Sequence, residues 1–208
     1  MRGRRRPRLV VATKNPGKLR EIRALLADLD VEWCTLRDFP SVVLPEEGDD
    51  YAENALEKAR SAARQSGEVA IADDSGLEVA GLDGRPGPHS ARYGGPGLDD
   101  AGRVRRLLEE MRPLTGSQRS ARFVCVAAVA SPSGETAEAR GECPGRILEA
   151  PRGEQGFGYD PVFESTERNA PMAELPEAEK NRISHRGRAF AALREAIDAQ
   201  LGSAHRGR

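Results

Sequence analysis

The sequence predicts an α/β protein built on a mixed sheet flanked by helices. Early in the 208-residue chain, short apolar strand segments alternate with helix-period segments. A hairpin pattern in the middle then rules out a purely parallel sheet. The length suits one domain with a real core, placed at residues 9–201. Residues 1–8 read as a disordered Arg-rich extension and residues 202–208 as a C-terminal tail.

Arg8–Thr13 reads as a short buried strand. After a Gly-Lys turn, Leu19, Ile22, Leu25, Leu26 and Leu29 recur at helical spacing. Val31–Leu36 is a second strand, and Arg37–Asp50 is a Pro-punctuated acidic loop. Asp50 with Glu53 marks a helix start, and that helix runs to about Arg64, with Ala52, Ala55, Leu56, Ala59 and Ala63 inward. Val69–Ala72 is a short strand ending on Asp73-Asp74, and Gly81–Pro88 is a loop. Asp99 or Asp100 opens a third helix with Val104, Leu107, Leu108 and Met111 inward. Ala121–Ser131 and Thr136–Glu142 pair around Pro132-Ser133-Gly134. Ser184–Leu201 closes the chain as a helix burying Ala189, Phe190, Leu193 and Ile197.

Composition excludes several classes. Mean hydropathy is −0.59 and no apolar run approaches the ~18 residues a membrane span needs. No secretory pattern opens the chain. The net charge of −1 hides a split: five Arg fall in Met1–Arg8 and two in the last seven residues. Without them, 25 cations face 33 anions, a body charge of −8. An acidic body is a poor surface for a nucleic-acid polymer, so none is expected as partner, and the basic ends read as solvated termini. Cys34, Cys125 and Cys143 are odd in number and lack C-x-x-C spacing. That argues against disulfides and a Cys-built zinc site and fits a reducing cytoplasm. His89, His185 and His205 are too scattered for a metal cluster.

Four segments carry chemistry. Thr13-Lys14-Asn15-Pro16-Gly17-Lys18 joins a strand to a helix N-terminus, where free N–H groups and the dipole suit anions. Ala12 and Leu19 exclude a Walker A loop. The chain has only four Lys among 32 cations (Lys14, Lys18, Lys58 and Lys180), and two sit in this loop. Asp73-Asp74, at a strand end and followed by Ser75-Gly76, offers hard oxygens to Mg²⁺, whereas Glu46-Glu47 alone reads as a solvated acidic loop. Gly156–Phe163 (GFGYDPVF) holds three of the nine aromatics and suits stacking on a planar base, with Phe163 itself a core residue. Glu179–Arg188 places His185 and Arg186 in a first helical turn, where cations oppose the dipole and a ligand would explain them; Arg182 and Arg188 read as solvated.

Together these segments resemble the inosine triphosphate pyrophosphatase family, the non-canonical purine nucleoside triphosphate pyrophosphatases. The resemblance rests on VVATKNPGKLREI, EEGDDYAENALEKA, IADDSGLEVAGLDGRPGPHSARYGG, GFGYDPVF, and MAEL followed by EKNRISHRGRA, in the family's order over nearly all of Leu9–Leu201. Lys14 stands where many members have Gly, and Asp50 where many have Thr. The resemblance implies an elongated, mixed, twisted sheet flanked by helices, two lobes with a central cleft, and a homodimer. It implies Mg²⁺-dependent hydrolysis of ITP, dITP and XTP to monophosphate and pyrophosphate. By position, Thr13, Lys14, Asn15, Pro16, Gly17 and Lys18 would hold phosphates. Asp74 would be general base and metal-associated carboxylate, Glu46 a second metal ligand, and Ser75 a substrate contact. Phe157, Gly158, Tyr159, Asp160, Lys180, His185 and Arg186 would surround the base.

Three rivals stand beside this reading, of which a nucleotide-binding regulator without turnover is disfavoured by Asp74 and Lys18. A Maf-type pyrophosphatase acting on modified pyrimidines is disfavoured by GFGYDPVF and the SHRGRA helix. A non-catalytic nucleic-acid binder using the Arg-rich ends is disfavoured by the acidic body.

Overall fold

Asp50 shows how the sequence punctuates its helices: its carboxylate accepts the backbone N–H groups of Ala52 and Glu53 at 2.8 and 2.9 Å. In this computed structural model, which describes residues 6–206, β1 (Arg8–Val11) leads into α1 (Pro16–Leu25), and β2 (Glu32–Thr35) into α2 (Tyr51–Ser66). There follow β3 (Val69–Val79), β4 (Pro86–Gly87), α3 (Asp100–Glu110), β5 (Ser120–Ala130) and β6 (Thr136–Ile147). The chain ends with β7 (Phe163–Ser165), β8 (Ala170–Pro171), α4 (Glu177–Ile183) and α5 (His185–Arg206). Single 3₁₀ turns fill several connections.

The eight strands form one mixed sheet in the order β2-β1-β3-β5-β6-β7-β8, with β4 paired to β3. β1 runs parallel to both β2 and β3, with Val10 opposite Cys34 on one side and Ala70 on the other. β4 is antiparallel to β3, and β7 to β6 and β8. This is the mixed α/β architecture the patterning predicts.

The residues gather into two compact units. One holds the chain up to Asp74, together with Val126–Arg140 and the segment from Ala189 on; the other holds Ser75–Cys125 and Gly141–Arg188. The expected body at 9–201 shows no linker composition because the boundaries fall inside β3, β5, β6 and α5. In the first unit, α2 buries Ala55, Ala59, Ala62 and Ala63, and α5 buries Ala189, Phe190, Leu193 and Ile197. The second is centred on Leu77, Leu107, Met111, Phe123, Tyr159, Phe163, Met172 and Ile183. All three cysteines are free and buried.

Several boundaries differ from the sequence expectation: α1 ends at Leu25, short of Leu26 and Leu29, and β6 runs past Glu142 to Ile147. β3 does not stop at Ala72 but runs eleven residues to Val79, so Asp73 and Asp74 lie within a strand rather than at its end. A DDSG string has turn composition, but partners from elsewhere in the fold hold both carboxylates in place. At the termini, Arg8 already belongs to β1, Arg6 pairs with Asp30 at 2.7 Å, and α5 continues past Leu201. The remainder of the expected terminal extensions, residues 1–5 and 207–208, lies outside the described residues. Among the described residues no helix is long and apolar enough to cross a membrane.

Candidate active site

Burying a carboxylate is unfavourable without a partner, and β3 buries two in succession. Asp73 and Asp74 are 2% and 3% exposed. Each has its own lysine: Lys18 Nζ lies 3.1 Å from Asp73 Oδ2, and Lys58 Nζ lies 3.5 Å from Asp74 Oδ1. Lys58 Nζ also donates to Glu47 Oε1 at 2.6 Å. Burial works against the Lys58 ammonium, but Asp74, Asp73 and Glu47 outweigh it, so its pKa is raised. For Asp74, burial is the larger effect. Its carboxyl is pushed above the ordinary aspartate value, against the opposing pull of Lys58, Lys18 and the Asn54 hydrogen bond.

Asn54, on α2, joins this group to the acidic loop. Its Nδ2 donates to Asp74 Oδ2 at 2.8 Å and to the Gly48 carbonyl at 3.0 Å, while its Oδ1 accepts the Gly48 N–H at 2.7 Å. That fixes the loop beside Glu47. Glu47 and Asp74 therefore converge on one cation, whereas Glu46 is exposed.

The Thr13–Lys18 loop corrects one expectation. Its helix start carries no free N–H groups: Asn15 Oδ1 accepts Gly17 N–H at 2.8 Å and Lys18 N–H at 3.1 Å, its carbonyl accepts Leu19 N–H, and Pro16 has none. Thr13 Oγ1 in turn accepts the Asn15 N–H at 3.1 Å. Asn15 competes for the same donors a phosphate would use. What the loop offers an anion is the helix dipole, the exposed Lys14 and the Lys18 ammonium.

The second unit assembles the other predicted residues. Arg186 is buried in the first turn of α5, and its Nη2 donates to Ser75 Oγ at 2.9 Å. Ser184 Oγ accepts Gly187 N–H at 2.9 Å, as the sequence leads one to expect of a cap. Lys180 and Arg186 lie 5.1 and 5.8 Å from the Phe157 ring centre. Lys180 is ion-paired with Asp160, which also accepts the Phe157 N–H at 2.8 Å.

Two residues expected around a base pack against core side chains. Tyr159 belongs to the core: its hydroxyl donates to the Ser90 carbonyl at 2.9 Å, and burial raises its pKa. His185 stacks on Phe123 with ring centres 4.7 Å apart. Phe163 is core, as expected. Lys58 and Asn54 are site residues the sequence reading does not single out; the scarcity of lysine is the signal that points to Lys58.

No three His, Cys, Asp or Glu side chains among the described residues form a metal-holding group. The donor set is instead two convergent carboxylates of hard oxygen, which suits Mg²⁺ completing its shell from phosphates and water.

Comparisons with known proteins agree over the whole fold. The family model described as "Ham1 family" matches residues 9–196. A protein named dITP/XTP pyrophosphatase from Geobacillus kaustophilus is 50% identical over 195 residues, covering 93% of this chain and 96% of its own. One of the same name from Geobacter sulfurreducens is 48% identical over 194 residues, covering 93% and 98%. The solved structure of a HAM1 protein from Coxiella burnetii superposes with a TM-score of 0.82 at 41% identity, covering 93% of this chain and 99% of its own.

Proposed function

This chain belongs to the Ham1 family, and we propose that it hydrolyses non-canonical purine nucleoside triphosphates, dITP, ITP and XTP, to the monophosphate and pyrophosphate. The names of its relatives support the substrate class. One observation carries the chemistry: two successive buried aspartates, Asp73 and Asp74, each held by a lysine, with Glu47 converging on the lysine of Asp74.

In this reading Asp74 accepts the proton of the attacking water, for which a carboxyl raised by burial is better matched than an ordinary aspartate. The water oxygen bonds to phosphorus, the bond to the bridging oxygen breaks, and pyrophosphate departs. Lys14 and Lys18 hold phosphate charge, and Lys58 keeps Glu47 and Asp74 oriented. Mg²⁺, when bound by Asp74 with Glu46 or Glu47, supplies charge neutralisation on the phosphates. Arg186, Lys180 and Phe157 read the base by donors and a ring face. A cytoplasmic homodimer completes the proposal, supported by the resemblance and by three free thiols.

The test is pyrophosphate release from dITP, ITP, XTP, GTP, ATP and a modified pyrimidine triphosphate, with and without Mg²⁺. Mg²⁺-dependent turnover of the first three far above the rest is expected. Preference for the pyrimidine, or no turnover of any, would overturn it.

A further inference from the structure

Phe157 sits between Gly156 and Gly158, both with left-handed backbone, at φ +78° and +62°. Such a segment has many alternatives open to it, so something must hold it where Lys180 and Arg186 meet the Phe157 ring. Two carboxylates do so by taking successive backbone donors. Asp160 accepts the Phe157 N–H at 2.8 Å, and Asp100 Oδ2 accepts the Gly158 N–H at 2.8 Å. Asp160 lies in the loop itself; Asp100 lies 58 residues away, in the first turn of α3.

α3 is a firm anchor. Asp99 caps it by accepting Gly102 N–H at 2.7 Å, and its inner face places Val104 and Leu107, with Met111 just past its end, in the same core cluster as Tyr159. Asp100 Oδ1 is steered by Arg103 Nη1 at 3.2 Å, which leaves Oδ2 aimed at Gly158. An acidic first-turn residue also suits the helix dipole.

We propose that Asp100 is a positioning residue for base recognition: by holding the Gly158 N–H it fixes the Phe157 ring and so sets KM for the purine substrate without touching the reacting atoms. The proposal rests on the functional reading above. Losing one such hydrogen bond at a positioning loop is expected to raise KM for dITP roughly threefold to tenfold in Asp100→Ala, with kcat within about twofold. Asp100→Asn keeps an acceptor oxygen but loses the charge. It is expected to retain near-native KM while losing the dipole contribution to thermal stability.

The experiment measures dITP kinetics and melting temperature for wild type, Asp100→Ala and Asp100→Asn, together with amide exchange at Gly158. Faster Gly158 exchange and a raised KM in the alanine variant alone support the proposal. Unchanged KM in a folded Asp100→Ala protein overturns it, as does equal damage in Asp100→Asn. A wild-type protein that does not hydrolyse dITP overturns the functional reading, and the substrate role of Asp100 with it; the exchange measurement distinguishes that outcome from failure of the anchor itself.

Discussion

Asn54 and Asp74 are joined by a 2.8 Å hydrogen bond, and the same Asn54 amide group grips both backbone polar groups of Gly48. One side chain thus sets both the orientation of the buried carboxylate and the distance of the acidic loop from it. Asn54→Ala is expected to lower stability by about 1–3 kcal/mol, because it leaves buried polar groups unmatched. It should also weaken Mg²⁺ activation. Chemical denaturation and a Mg²⁺ titration of activity check the two effects separately; native values in both would remove Asn54 from the site.

Asp74→Asn is nearly isosteric but takes no proton. Turnover should fall roughly 10²–10⁴-fold while the melting profile stays cooperative. Activity within threefold of wild type would transfer the base role to Asp73.

Lys58→Met leaves Glu47 and Asp74 without their shared cation. Breaking a buried pair in this way should lower stability by about 3 kcal/mol. Added Mg²⁺ should restore more melting temperature in the variant than in wild type, since it can stand where the ammonium stood. Glu46→Gln and Glu47→Gln, assayed the same way, decide which glutamate faces the ion.

Arg186→Ala should reduce kcat/KM on dITP and XTP far more than on ATP. The 6-oxo purines accept hydrogen bonds where adenine presents an amino group, and sites built on such bonds discriminate by up to ~10⁴. Equal proportional losses on all three substrates would assign Arg186 to phosphate or to structure.

Tyr93 supplies a pH signature away from the site. Burial and its hydrogen bond to Glu110 push its phenol from 10.0 up to about 12. A folded pKa above the unfolded one means the stabilisation is complete below about pH 10 and is lost as pH rises towards about 12. The melting advantage of wild type over Tyr93→Phe should therefore shrink across that interval. A constant difference would show that the phenol does not ionise there.

Local signals in the sequence were reliable where the cause is local. Asp50 and Asp99 cap the helices they precede, and Val104, Leu107, Phe190 and Ile197 are buried at the periodic positions. Asp73-Asp74 was legible as a pair but not as mid-strand, because its partners Lys18 and Lys58 come from other elements. The seven-residue α4 and the short β7 and β8 are below the length at which periodicity speaks. The GFGYDPVF block was legible as chemistry, yet its division into an accessible Phe157 and a core Tyr159 is decided by Ser90, a residue 69 positions away.

The scarcity of lysine has a practical consequence for handling the protein. Lys18, Lys58 and Lys180 are screened and engaged with carboxylates, and Lys14 alone among the lysines is exposed. Apart from the α-amino group, a mild acylating reagent therefore finds a single amine on the folded surface. That amine stands in the loop assigned to the phosphates, so a fluorophore placed there would report nucleotide occupancy without any engineered cysteine.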